Sequence, residues 1–224
     1  MAGKEPIREI KVTGDGSHTL YLPEMEEHYH SHFGAMTESE HIFINAGLRY
    51  CKGDKLRILE VGFGTGLNAL LTAIEAGEDH KVIYYYSVEK YPLTPEVIAS
   101  LNYGTLNGKS AAALFQSIHS ATWNKPVTVT DFFTLEKVKG DMTTDDLPGV
   151  FDLVYYDAFG PDKQPEMWSD DIFYRIALAA HPGTVLVTYS AKGKLKRTLQ
   201  ANGFDVEHLP GPPGKRCITR AIKR

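Results

Sequence analysis

Residues 58–68, Ile-Leu-Glu-Val-Gly-Phe-Gly-Thr-Gly-Leu-Asn, constrain this chain more than any other stretch. An apolar, partly β-branched run enters a glycine-rich turn, and Leu67, Leu70, Leu71 and Ile74 follow at helical spacing. That is a strand–turn–helix unit whose glycines let the backbone approach a ligand closely. The glycines are Gly62, Gly64 and Gly66, and Leu occupies position 67. A dinucleotide fingerprint places its third glycine at 67, so the spacing argues against a nicotinamide site. It points to the related turn that binds S-adenosylmethionine, in which no pyrophosphate rests on the helix N-terminus. Glu60, entering the turn, then carries no electrostatic penalty and can face the cationic amino-acid end of that cofactor. A glycine-rich turn in another Rossmann-like protein is the alternative this motif alone leaves open.

Size and composition set the outer bounds. At 224 residues the chain makes one domain with a small extension and a full core. Its 42% hydrophobic and 23% charged content are those of a globular protein in water. No apolar run reaches transmembrane length, and Met1-Ala2-Gly3-Lys4-Glu5 lacks a signal-peptide core. Cys51 and Cys217 stand far apart in no metal-binding spacing and read as reduced thiols of a cytoplasmic protein. The net charge of −4 is unevenly spread: residues 192–224 hold nine Lys/Arg against two acids, +7, leaving −11 on the other 191 residues. A basic end on an acidic protein suits a polyanionic partner, and equally suits a solvated helix face with a charged tail.

Along the chain, residues 8–22 alternate around Thr13-Gly14-Asp15-Gly16-Ser17 and predict a β-hairpin. Residues 23–50 are polar and His-rich, then partly helical, so 1–50 form an N-terminal extension that covers the site and 51–224 the main domain. Strands are expected at 57–61, 82–88, 132–139, 151–156 and 184–189, with a closing antiparallel pair at 204–209 and 215–222. Helices are expected at about 67–77, 95–101, 110–120, 165–180 and 192–201. Thr94 is the expected N-cap of the second, with Pro95 at its first position. This alternation predicts a mostly parallel, doubly wound α/β sheet with an antiparallel C-terminal strand.

Ligands of such sheets sit beyond the carboxyl ends of the strands. Acids occur at each of those ends: Glu60, Glu89, Asp141 and Asp157. Glu89 lies 23 residues past Gly66, where a carboxylate can grip both hydroxyls of a ribose. Such charge-assisted hydrogen bonds contribute about 1.5–3 kcal/mol each. Asp141 is placed to meet an adenine amino group, with Met142 on the ring. Each acid alone reads as well as a helix cap. Four on one rim would repel one another without a ligand, so the set says more than its members.

Residues 156–168 read Tyr-Asp-Ala-Phe-Gly-Pro-Asp-Lys-Gln-Pro-Glu-Met-Trp. This stretch resembles the D-[GA]-F-x-P-x-x-x-P-x-M-W signature of the tRNA wobble-uridine 5-aminomethyl-2-thiouridine methyltransferases. The segment from Glu60 to Asn68 resembles their cofactor turn, and Ser87-Val88-Glu89-Lys90-Tyr91-Pro92-Leu93-Thr94 their ribose-binding segment. Tyr29-His30-Ser31, Glu38, Phe43 and Gly211-Pro212-Pro213-Gly214-Lys215-Arg216 extend the similarity over roughly residues 8–222. The resemblance implies a class I S-adenosylmethionine-dependent methyltransferase fold. It implies methylation of the aminomethyl group on the wobble uridine of a tRNA anticodon loop. Asn68 and Lys90 join the cofactor set on this ground, and Pro161 joins the substrate set with Phe159, Lys215 and Arg216.

The acceptor chemistry agrees. An alkylamine is mostly protonated at neutral pH and must lose a proton before it attacks an electrophilic methyl group. A carboxylate at Asp157 can hold the ammonium, take its proton and aim the lone pair. It also raises the amine's pKa by charge attraction, so its benefit must lie in orientation and proton acceptance. Phe159 is placed to stack on a flipped uracil, or else is a core or rim aromatic. Tyr189 ends the fifth strand and is a further substrate contact.

Two departures from the family pattern matter. Bifunctional relatives continue into an FAD-dependent oxidase domain; the chain ends at Arg224, so neither FAD nor an oxidase step is expected. Cys217 follows Lys215-Arg216 where relatives often have Glu. His28, His30 and His32 alternate as metal ligands on a strand would, but methyl transfer needs no metal and no further ligand follows, so they are expected to cover the site's mouth. Trp123 and Trp168 read as core or rim aromatics. A methyltransferase of a small amine and a non-catalytic RNA-binding module are the competing readings.

Overall fold

The computed structural model describes residues 7–224. The reading of residues 1–5, and the start of the extension, lie outside them. Eight strands form one sheet: β4 (Lys55–Val61), β5 (Val82–Glu89), β6 (Pro126–Thr130), β7 (Phe133–Lys139), β8 (Phe151–Tyr156), β9 (Ala180–Thr188), β10 (Phe204–Pro210) and β11 (Cys217–Lys223). Their order is β10-β11-β9-β8-β4-β5-β7-β6. The central five run parallel, whereas β11 is antiparallel to β9 and to β10, and β6 to β7. The expected α/β architecture is therefore present, with antiparallel strands at both edges. A second, three-stranded antiparallel sheet joins β1 (Glu9–Val12), β2 (His18–Leu22) and β3 (Glu27–His28), so the N-terminal hairpin gains a short third strand.

Side chains of the central strands alternate between two cores, as period-2 geometry requires. Ile58, Tyr85, Leu153, Tyr155 and Val187 face one core. There they meet α2 (Leu67–Asp79), α5 (Lys109–Ser120) and the helical stretch 35–50, made of α1 (Ala35–Ser39), a π turn and a 3₁₀ turn. Leu59, Tyr86, Val154, Tyr156 and Leu186 face the other, against α6 (Asp170–Leu178) and α7 (Gly193–Ala201). Two short helices, α3 (Pro95–Ala99) and α4 (Tyr103–Leu106), link β5 to α5. Thr94 and Pro95 open α3 as expected, although no side-chain cap bond forms.

Two elements differ from expectation. The helix expected over 165–180 is broken: Pro165–Trp168 is a 3₁₀ turn, Ser169 is extended, and α6 begins at Asp170. Trp168 is buried and donates its indole N–H to the Phe159 carbonyl at 2.7 Å, which pins the turn to the loop after β8. The edge strand β6 was not expected. It starts at Pro126, where a missing backbone N–H does not cost a ladder bond.

Candidate active site

At the carboxyl ends of β4, β5, β7 and β8, a cavity of about 700 Å3 opens between the sheet and the N-terminal extension. The turn after β4 forms its floor. Gly62 has φ +92, and a Cβ there would stand 3.0 Å from the Asp157 carbonyl, so only glycine lets the turn lie against the end of β8. Gly66, at φ +73, is the left-handed residue from which α2 starts. Gly62 and Gly64 line the cavity; Gly66 stands behind them.

Glu89 ends β5 beside this turn. Its Oε2 accepts the Gly64 N–H at 2.9 Å and its Oε1 the Tyr91 N–H at 2.7 Å. The carboxylate is thus fixed in direction while each oxygen keeps a second lone pair for a ligand. Asp141, after β7, is held below the usual carboxylate range, at about 2, by Lys90 at 2.6 Å and by the Thr143 hydroxyl. Lys90 thus orients an acid. Asp141, Met142, Glu89 and Lys90 all line the cavity, and Met142 is almost fully buried.

Glu60 does not line the cavity, and the expectation that it meets a cofactor ammonium directly is not matched by its position. It is fully buried beneath the turn, where burial pushes its carboxyl up to about 8, and Ser87 Oγ donates to it at 2.6 Å. Burial favours the neutral acid, and a neutral acid offers no charge to an ammonium.

Asp157 follows β8 and faces the cavity. Asn68, on the first turn of α2, donates Nδ2 to Asp157 Oδ2 at 2.9 Å. The Asp157 carboxyl lies well above the ordinary aspartate value. Burial is the main cause, with the Glu38 and Glu60 carboxyls adding to it, while the Asn68 hydrogen bond and Lys215 act the other way. The loop beyond it is tied at three points. Tyr189 donates its hydroxyl to the Ala158 carbonyl at 2.8 Å, Trp168 holds the Phe159 carbonyl, and Tyr156 donates to the Met167 carbonyl. These bonds give the residues 156–168 a physical reason to be those types.

Phe159 lines the cavity edge-on to Tyr29, ring centroids 5.0 Å apart. Pro161 lies on the same loop but outside the lining. Lys215 and Arg216, expected together in the substrate set, part company. Lys215 turns inward, 3.3 Å from Glu38 Oε1 and 4.6 Å from the Tyr189 ring centroid, whereas Arg216 is exposed outside. The three histidines 28, 30 and 32 all line the cavity. His30 is buried, which pushes its imidazole down to about 4. No group of three metal-binding side chains occurs among the described residues. Glu38, Tyr29 and Phe33 join the wall without having been read as site residues. Their polar and aromatic character in the His-rich stretch ahead of the turn was the available signal.

A Gly-rich turn at the end of the first parallel strand, an acid ending the second, and a carboxyl after the fourth define the site of a class I methyltransferase. The donor set fits S-adenosylmethionine, since Glu89 suits a ribose and the glycine cradle leaves room for its body. Residues 113–224 match the family described as S-adenosyl-L-methionine-dependent methyltransferase, and this chain belongs to that family. It is 34% identical over 236 residues to the tRNA 5-methylaminomethyl-2-thiouridine biosynthesis bifunctional protein MnmC of Cupriavidus metallidurans, covering 97% of this chain and 34% of that protein. The protein of the same name from Campylobacter hominis is 30% identical over 207 residues, covering 90% and 31%. The crystal structure of MnmC2 from Aquifex aeolicus superposes with a TM-score of 0.77 at 26% identity, covering 98% of this chain and 72% of that one. The chain thus spans about a third of the length of the curated relatives it matches, and is homologous to the methyltransferase portion of MnmC. No helix among the described residues is long and apolar enough to cross a membrane.

Proposed function

We propose that this chain methylates the primary amine of 5-aminomethyl-2-thiouridine at the wobble position of tRNA, giving 5-methylaminomethyl-2-thiouridine. The observation that carries this reading is Asp157: a carboxyl at the bottom of an acid-lined cavity, aimed by Asn68, beside the turn that would hold the cofactor. The names of its relatives support it. When bound, S-adenosylmethionine supplies an electrophilic methyl group on a sulfonium centre. Gly62 and Gly64 would cradle it on the turn that Gly66 completes, Glu89 would hold its ribose, and Asp141 with Met142 its adenine. Lys90 would hold Asp141 in place, and Asn68 would hold Asp157.

The residues then divide the work by charge. A substrate ammonium entering the cavity favours ionised Asp157, which draws the nitrogen in and takes its proton. Phe159 and Tyr29 offer aromatic faces and edges to a base turned out of its stack. Outside, five of the nine C-terminal cations, Lys194, Lys196, Arg197, Arg216 and Lys223, take part in no ion pair among the described residues. Those at the start of α7 flank the loop after β8, to which Lys192 is tied through Asp162 at 2.6 Å. They are suited to phosphates of an anticodon arm.

The test is methyl transfer from isotopically labelled cofactor to tRNA carrying 5-aminomethyl-2-thiouridine, read by nucleoside mass spectrometry. Labelled methyl on that nucleoside alone is the expected result. Label appearing only on free small amines, with tRNA untouched, would overturn the reading.

A further inference from the structure

Glu38 sits on α1 with 7% of its surface exposed, and it lines the cavity. Its Oε2 accepts the Ser31 N–H at 2.7 Å. Its Oε1 is buried and accepts no hydrogen bond. A buried carboxylate oxygen left without a donor is costly, so its persistence here points to a cationic ligand. Lys215 Nζ stands 3.3 Å away, near enough for charge attraction but not placed as a donor. The same ammonium lies 4.6 Å from the centroid of the Tyr189 ring. A carboxylate and an aromatic face around one ammonium form a cation-binding pocket. Asp157 lines the same cavity as these three side chains.

The two partners differ in how they are held. Glu38 is on a helix and tied to Ser31. Lys215 rides on the loop 211–216, at the end of a flexible stem that can swing out. We propose that Glu38, with the Tyr189 ring, is the subsite that receives the substrate's ammonium, and that Lys215 holds this place in the free protein and leaves when substrate enters. This inference rests on the amine-methylating reading above. One ammonium replaces another, so the Glu38 carboxylate keeps a cation beside it throughout. Glu38 keeps its hydrogen bond to Ser31 throughout and acts by positioning.

The test compares two anticodon stem-loops, one with an aminomethyl and one with a neutral hydroxymethyl group on the wobble uridine. Binding is measured without cofactor by fluorescence anisotropy, and methyl transfer is measured alongside. Wild-type protein is expected to prefer the aminomethyl stem-loop. Glu38→Gln should lose roughly tenfold of that preference, with hydroxymethyl binding nearly unchanged. Glu38→Asp, which keeps the charge, should recover part of it. Lys215→Met should bind the aminomethyl stem-loop more tightly than wild type. If Glu38→Gln weakens both stem-loops equally, the residue is structural and the subsite is refuted. Weaker aminomethyl binding by Lys215→Met refutes the place-holder. Wild-type protein that methylates its substrate yet shows either result loses this inference alone. Wild-type protein that neither prefers nor methylates the aminomethyl stem-loop loses the reaction, and the subsite with it.

Discussion

Asn68 holds Asp157 by a single 2.9 Å hydrogen bond from its amide nitrogen, and does so from the helix that the glycine turn launches. The turn that would seat the cofactor and the carboxyl that would take the proton are therefore parts of one rigid unit. The other Asn68 atom, Oδ1, is buried with no partner, so the amide is oriented through its nitrogen alone.

Removing that amide should show in the pH profile. The Asn68 hydrogen bond lowers the Asp157 pKa against the upward push of burial. Asn68→Ala should move the acid limb of the pH–rate profile to higher pH. It should also lower kcat by roughly 10–100-fold through lost orientation. A variant with slower turnover and an unmoved acid limb would detach Asn68 from the Asp157 charge.

Cofactor binding should release a proton. In the free protein burial holds the Asp157 pKa above its ordinary value. A sulfonium and an ammonium placed nearby favour the ionised form and lower that pKa. Calorimetry of S-adenosylmethionine binding in buffers of different ionisation enthalpy should report net proton release at pH values above the ordinary aspartate range. Asp157→Asn should abolish it. Release that persists in the variant would assign the proton to another acid.

Glu60 and the histidines 30 and 119 should pull stability in opposite directions with pH. Glu60 goes from 4.5 to about 8 on folding, so the folded state binds the extra proton and loses stability as pH rises from 4.5 through 8. His30 and His119 go from 6.5 to about 4, so the unfolded state binds those protons and stability is lost as pH falls below 6.5. Glu60→Gln should flatten the alkaline side and gain more than about 1 kcal/mol at pH 8, or about 2–4 °C in Tm. Equal thermal melts of the variant and wild type at pH 6 and pH 8 would contradict a buried, neutral Glu60.

Salt dependence should locate the RNA face. The triple substitution Lys194→Ala, Arg197→Ala, Arg216→Ala should weaken tRNA binding and flatten the slope of log K against log salt by up to about 2. Cofactor affinity should stay as in wild type, since none of the three lines the cavity. An unaltered slope would move the docking face elsewhere.

Most central strands were legible because they are short, β-branched or aromatic runs that lead to an acid, as from Phe151 to Asp157. The break at Ser169 was not, because helical spacing of apolar residues continues across it. Only the long-range bond from Trp168 to Phe159 ends the first turn. β6 escaped notice since Val127 and Val129 alternate over only five residues. In the site, residue types gave away Glu89, Asp141 and Asp157, while side-chain direction stayed hidden. Glu60 turns beneath the floor and Lys215 turns inward, and both depend on packing between segments far apart in sequence.

The most direct measurement is paired. Asp157→Asn and wild type are compared for S-adenosylmethionine affinity by calorimetry and for single-turnover methylation of tRNA bearing 5-aminomethyl-2-thiouridine. The affinity should change little, while the methylation rate should fall by roughly 10²–10⁴-fold. A variant that methylates at near wild-type rate, or that loses cofactor and turnover in equal measure, would contradict Asp157 as the proton acceptor.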